Sequence, residues 1–182
     1  MNDDPARDQP GEALTEREKV ALFIGENADR YMPYYDYHIA TENNETEWID
    51  QKGVTRPVTR PFTFNIACLF IPLVWTLYRK DLILTLVWSG ITCVLMVLNM
   101  GGLPNFIQYA VAFGYALLFD SFYVANVIGK VRNISKRGQS LDYEKSALKV
   151  EGGTSGVGAG VGAAIYIGII VLAISTAFQM LS

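Results

Sequence analysis

The hydrophobic residues of this chain are concentrated in long stretches and are not interleaved with charged ones. Residues 62–128 and 157–182 carry almost no charge apart from Arg79, Lys80, Asp81 and Asp120, whereas residues 1–60 hold most of the acids. A soluble domain alternates polar and apolar positions with the period of its helices or strands, but a bilayer demands uninterrupted apolar runs. The pattern therefore predicts an all-α integral membrane protein.

Three apolar stretches are long enough to cross the ~30 Å of hydrocarbon in a bilayer. Residues 81–128 predict a transmembrane hairpin with a Gly-Gly-Leu-Pro turn, and residues 157–181 predict a third transmembrane helix. Between them, residues 129–156 are basic and glycine-rich, which is typical of a cytoplasmic loop. This loop is long enough for a short helix at 141–150.

Residues 62–78 form a further apolar stretch, at the lower length limit for a span and interrupted by Pro72. If this stretch crossed the membrane, the basic residues at 79–80 and 130–137 would lie outside. If it bends back, all the basic clusters share one side, as the positive-inside rule prefers. We therefore predict a bent interfacial or re-entrant segment, with the N-terminus in the cytoplasm and the C-terminus on the opposite side.

The polar N-terminal third contains a clear start signal for a helix. Residues 1–14 predict a disordered tail, and residues 15–60 predict a cytoplasmic amphipathic helix followed by a linker. Thr15 and Glu18 form a capping box, so the helix should begin at Glu16. The tyrosine-rich run that follows should pack on the headgroup layer or on the membrane part of the protein itself. In the linker, residues 40–60, prolines should prevent regular structure.

One motif in the bent segment resembles a known family. The motif comprises Phe64-Asn65-Ile66-Ala67, then Phe70, Pro72, Trp75 and Leu77-Tyr78-Arg79-Lys80. It is similar to the signature of the bacterial membrane family called domain of unknown function 2628, and the resemblance covers roughly residues 20–135. Ile66 departs from the tryptophan usual there, and the glycine-rich last helix is not part of the pattern. The resemblance implies a bacterial inner membrane location, and it implies no activity. In that membrane, the C-terminus that the charge pattern places opposite the cytoplasm would lie in the periplasm.

Glycine recurs along the last apolar stretch and its approach. The small residues four apart are Gly152, Gly156, Gly160, Ala164 and Gly168, and Gly158 and Gly162 lie on a neighbouring stripe. Within a membrane, small residues let another helix approach closely. The pattern predicts a helix-packing interface, either with a second copy or another membrane protein, or internally with the hairpin 81–128.

Asp120 is the acid inside a predicted span. A carboxylate at membrane depth costs ~3 kcal/mol unless it is paired, protonated or facing water. The structural explanation is that Asp120 is neutral or pairs with Arg79 or Lys80. The functional explanation is that Asp120 handles protons or cations, or pairs with a partner subunit. Trp75, Tyr78, Arg79 and Lys80 predict an interfacial anchor, since aromatic and basic residues favour the membrane–water boundary.

Patterns typical of catalysis are missing from the sequence. His38 is the single histidine, and Cys68 and Cys93, which we expect to be buried, form no CxxC motif. One imidazole near Asp36 and Glu42 is too little for a metal site. We therefore predict no enzyme activity, no metal and no cofactor, and a net charge of −3 gives no reason to expect a nucleic-acid partner.

Three functions fit these patterns. The first is an accessory or scaffold subunit of a larger membrane complex, held by helix–helix packing to other membrane subunits or to copies of itself. The second is a small oligomeric transporter or channel that uses Asp120. The third is a membrane protein that binds anionic lipids through Arg56, Arg60, Arg79 and Lys80. The first is favoured because three spans enclose little volume for a pathway in one copy.

Overall fold

The computed structural model describes residues 13–49, 54–100, 102, 104–138 and 140–181. This part of the chain is mostly helical, as the sequence predicts, and nearly all of the predicted tail lies outside it. Its helices are α1 (Glu16–Ile24), α2 (Ala28–Glu42), α3 (Ile66–Phe70), α4 (Pro72–Tyr78), α5 (Leu82–Met100), α6 (Asn105–Ser135), α7 (Leu141–Glu151) and α8 (Gly156–Leu181). Two strands, β1 (Glu47–Ile49) and β2 (Thr55–Pro57), pair antiparallel.

The first helix begins where the capping box predicts. The Thr15 hydroxyl accepts a hydrogen bond from the Glu18 amide, and the Thr15 amide donates to the Glu18 carboxylate. After a break at Gly25, the tyrosine-rich run forms α2 and buries Tyr31, Tyr34 and Tyr35. These tyrosines pack inside the protein rather than against a headgroup layer.

The expected absence of regular structure over residues 40–60 is wrong. The helix α2 continues to Glu42, and β1 and β2 form a hairpin in which Glu47 lies opposite Pro57. Both strands of a two-stranded sheet are edge strands, so a proline can occupy a position whose N–H the ladder does not need. The prolines therefore limit the length of this hairpin without preventing it.

The predicted bend in residues 62–78 is confirmed as a break between α3 and α4. The two helices are separated by Ile71, and Pro72 is the first residue of α4. Proline lacks the amide proton that would continue the ladder, but it suits the first turn of a new helix. A tight turn with Lys80 at φ 53 then leads into α5.

The core lies along the second half of α6, under α1, α2 and α7. Phe119, Val124, Val127 and Val131 are fully buried there, whereas the first half of α6 leaves Phe106 exposed. Two helical stretches, Phe106–Ser135 in α6 and Leu141–Val171 across α7 and α8, are long and apolar enough to cross a membrane by length and composition. The apolar part of α5, Leu82–Leu98, is shorter than such a stretch.

The last helix packs on α4, not on the hairpin 81–128 as one alternative expected. Its Gly158 and Gly162 lie against the backbone of Leu77 and Val74, and the Tyr166 hydroxyl donates to the Phe70 carbonyl at 3.0 Å. As the residue numbers increase along α8, the numbers of the residues they contact in α4 and α3 decrease. The helix α8 therefore runs antiparallel to the segment formed by α3 and α4. The short helix α7 forms at the predicted 141–150 and extends by one residue.

Candidate functional site

Asp120 lies at the centre of a buried polar cluster. Its side chain is fully buried, and its oxygens accept hydrogen bonds from the Arg30 guanidinium at 2.8 Å, the Thr63 hydroxyl at 2.7 Å and the Asn65 amide at 2.9 Å. These donors come from α2 and from the segment that leads into α3. The carboxylate therefore joins three parts of the chain that are distant in sequence.

The donors around Asp120 are themselves held in place. Because the Thr63 hydroxyl proton goes to Asp120, the Tyr34 hydroxyl is the donor in its 2.7 Å contact with Thr63. The same Tyr34 oxygen accepts from the Thr63 amide at 3.1 Å. The Asn65 oxygen accepts from the Cys68 amide at 2.9 Å and so caps α3. Second hydrogen bonds thus fix the orientations of Thr63 and Asn65.

The expectation that Asp120 pairs with Arg79 or Lys80 is wrong. Its partner is Arg30, whose side chain is 39% exposed and so reaches the carboxylate from the protein surface. Lys80 instead donates to the carbonyls of Val150 and Gly152 at 3.0 and 2.8 Å. A lysine there satisfies open carbonyls at the C-terminal end of α7.

Arg79 is 3% exposed and lies among aromatic rings, which contradicts its expected role at a membrane surface. Its guanidinium carbon is 4.9 Å from the ring centroid of Tyr31, 5.2 Å from Trp75, 5.6 Å from Tyr123 and 5.8 Å from Tyr78. Ring faces attract a cation. The predicted anchor residues Trp75, Tyr78 and Arg79 therefore form an internal cluster.

Arg132, in the last turn of α6, is paired with acids of the same chain. Arg132 is bonded to Glu16 at 3.1 Å and to Glu42 at 2.7 Å, so one guanidinium joins α1, α2 and α6. Lys19 of α1 is paired with Glu144 of α7 at 2.7 Å. Ion pairs thus join the N-terminal helices to the C-terminal end of α6 and to α7.

The Arg132–Glu42 pair predicts a pH dependence of stability. The hydrogen bond from Arg132 lowers the pKa of Glu42 below its ordinary value of 4.5. A carboxyl group with a depressed pKa contributes stability above its ordinary pKa, which is lost as pH falls through the lowered value. The unfolding temperature of the wild type should therefore exceed that of Glu42→Gln at neutral pH, and the difference should vanish in acid.

Thermal unfolding followed from neutral to acidic pH measures this difference. Glu26→Gln is the matched control, because it removes a carboxylate at an exposed loop position. A gap between wild type and Glu42→Gln that stays constant across the acid range would contradict the prediction.

The predicted glycine stripe divides into an internal and an open part. A side chain at Gly152 would collide with the Phe23 carbonyl of α1, so this position is used inside the protein. At Gly156, Gly160 and Gly168 an added Cβ meets nothing within 4 Å, and Ala164 is exposed. Residues two apart lie about 200° apart around a helix, so the open stripe faces away from α4.

The remaining candidate residues are His38, Cys68 and Cys93, and they belong to no metal-binding group in the described part of the chain. No group of three or more His, Cys, Asp or Glu side chains could hold a metal there. His38 Nε2 lies 3.0 Å from the Ser121 carbonyl. Cys68 is a buried free thiol, and Cys93 is exposed, contrary to the expectation that both are buried.

No known protein family, curated protein or solved structure matches this chain. The resemblance of residues 64–80 to a bacterial membrane family stays a prediction. Function is therefore inferred from the contacts, exposure and charges of the molecule itself.

Proposed function

We propose that this chain is a non-catalytic integral membrane protein that serves as an accessory or scaffold subunit of a larger membrane complex. The observation that carries the proposal is the open side of α8. This helix is anchored to α4 along one side, while Gly156, Gly160, Ala164 and Gly168 lie exposed on the other. Exposed small residues four apart allow a second helix to pack closely in lipid.

Exposed apolar side chains support placement in a membrane. A soluble protein rarely leaves large contiguous apolar patches in water. In this chain such residues occur along α5, the first half of α6 and α8. They include Leu82, Ile83, Leu86, Val94, Val97, Phe106, Phe113, Val157, Val161, Ile167 and Ile170.

The path of α3 and α4 favours a re-entrant segment over an interfacial one. Because α4 runs antiparallel along the first turns of α8, a membrane-spanning α8 takes α3 and α4 into the membrane beside it. The Asn126 amide lies 3.4 Å from the Asp81 carboxylate, so α5 begins beside the later part of α6. We accordingly place the basic clusters and the N-terminus in the cytoplasm of a bacterium and the C-terminus in the periplasm.

The contacts of α2 with α6 change the depth at which Asp120 lies relative to the membrane surface. Asp120 was expected to lie well below the interface, but Arg30 and Thr63 cover it from the polar N-terminal part of the chain. The boundary on this side of α6 therefore lies near Asp120. On the opposite side, Leu118 and Phe122 remain exposed and extend the apolar surface.

The Asp120 cluster weighs against the transporter hypothesis. Each of the three donors to this carboxylate comes from the chain itself, and each is held by the fold or by the charge of the pair. A carboxylate that binds a passing proton or cation must exchange its partners. The partners of Asp120 are instead those of a carboxylate that holds parts of the fold together.

Gly160→Leu tests the proposed interface. Nothing lies within 4 Å of a Cβ at Gly160, so the variant should fold as the wild type does. A leucine there keeps a partner helix at a distance, so we expect the large complex recovered from gently solubilised membranes to contain roughly tenfold less of the variant than of the wild type. Gly160→Ala, which adds one methyl group, should retain most of it. Unchanged co-migration of Gly160→Leu with the complex would contradict the proposal.

A further inference from the structure

A cleft of about 500 Å³ opens where α5 begins, beside α6 and the end of α7. Its lining combines two cationic side chains with apolar ones. The lining residues are Lys80, Leu82, Ile83, Lys130, Val150 and Glu151.

The charges of the cleft leave a surplus of positive charge. Lys130 makes no ion pair or side-chain hydrogen bond within the described part of the chain. Lys80 donates to two carbonyls of α7, which leaves one of its three N–H groups available. Glu151, the acid of the cleft, is paired with Arg137 at 3.3 Å, so its charge is compensated.

The apolar side of the cleft continues directly into the exposed surface of α5. Leu82 is 65% exposed, Ile83 is 55% exposed, and Leu86 one turn later is 71% exposed. The cleft therefore has a cationic end that adjoins an exposed apolar surface, which matches a molecule with an anionic head group and hydrocarbon chains. Free phosphate matches the cationic end alone.

We propose that this cleft binds an anionic phospholipid. Its phosphate lies between Lys80 and Lys130, and its acyl chains follow Leu82, Ile83 and Leu86 along α5. The inference rests on the proposed membrane location, because an acyl chain contacts α5 only in a bilayer. It assigns lipid binding to the cleft and not to Arg79, which is buried.

Quenching of tryptophan fluorescence by brominated lipids tests the site in the purified full chain. Phosphatidylglycerol should bind in preference to phosphatidylcholine, and Lys130→Gln should reduce this preference about fivefold, the factor equivalent to ~1 kcal/mol per basic residue near an anionic surface. Lys136→Gln removes the same charge from an exposed position at the end of α6, outside the cleft, and should change the preference less than about twofold. Lys80→Gln should also reduce it, with some loss of stability because its bonds to α7 are removed.

Three results would overturn the assignment of lipid binding to the cleft. Equal effects of Lys130→Gln and Lys136→Gln would mean that lipid responds to overall surface charge and not to the cleft. Competition by glycerol 3-phosphate as effective as that by phosphatidylglycerol would mean a site for free anions. Washing the membranes with alkaline carbonate separates the two proposals: release of the chain refutes the membrane location, whereas retention without any preference for phosphatidylglycerol refutes the cleft alone.

Discussion

Asp120→Asn is expected to lower the free energy of unfolding of the detergent-solubilised protein by about 3 kcal/mol, within the range for breaking a buried ion pair. The amide keeps the shape of the carboxylate, but it presents N–H groups to a site where three donors already converge. One of those donors must lose its acceptor, and an unpaired buried donor costs about 1–3 kcal/mol. Loss of the charge opposite Arg30 adds to this penalty.

Two further variants give this prediction its controls. Arg30→Gln should cost less than Asp120→Asn, because Thr63 and Asn65 continue to hold the carboxylate. Asp142→Asn, at an exposed position in the first turn of α7, should stay within about 0.5 kcal/mol of the wild type. Denaturant unfolding of each purified variant measures these values. If Asp120→Asn kept full stability but abolished ion or solute flux, the transporter hypothesis would replace the structural one.

Gly162→Leu is expected to separate α8 from α4. The first side-chain atom at this position would lie 2.8 Å from the Cα of Val74, and backbone cannot move aside as a flexible side chain can. Overpacking of this kind costs about 1–3 kcal/mol and occasionally more. Because the clash is with backbone, truncating a neighbouring side chain should not rescue the variant.

Gly160→Leu provides the matched control for this variant in the same helix. Both substitutions replace glycine by leucine and gain the same helix propensity of ~0.8 kcal/mol, so their difference reports contact with α4. Gly162→Leu should unfold at a lower temperature than Gly160→Leu with or without a partner, whereas Gly160→Leu should not fall below the wild type and should lose only the complex. Equal unfolding temperatures for the two variants would contradict the packing of α8 on α4.

The sequence alone determined the features that depend on neighbours within one turn of helix. Thr15 and Glu18 set the start of α1, and Pro72 set the break between α3 and α4, because each acts on backbone hydrogen bonds nearby. The same local reasoning predicted the helix at 141–150. Local reasoning was wrong over residues 40–60, because β1 and β2 form backbone hydrogen bonds with each other across a loop.

Only the tertiary structure decided which distant groups meet. The sequence indicated that Asp120 needs a partner, and Arg79 and Lys80 were the expected ones, yet Arg30, 90 positions away, occupies that place. Arg79 is buried because aromatic rings from α2 and α6 surround it. The glycine stripes that contain Gly158 and Gly160 have the same spacing in the sequence. Packing of α4 covers the stripe of Gly158 and leaves the stripe of Gly160 exposed. Spacing along a helix fixes which residues share a face, but the contact made by that face depends on chain segments that spacing does not describe.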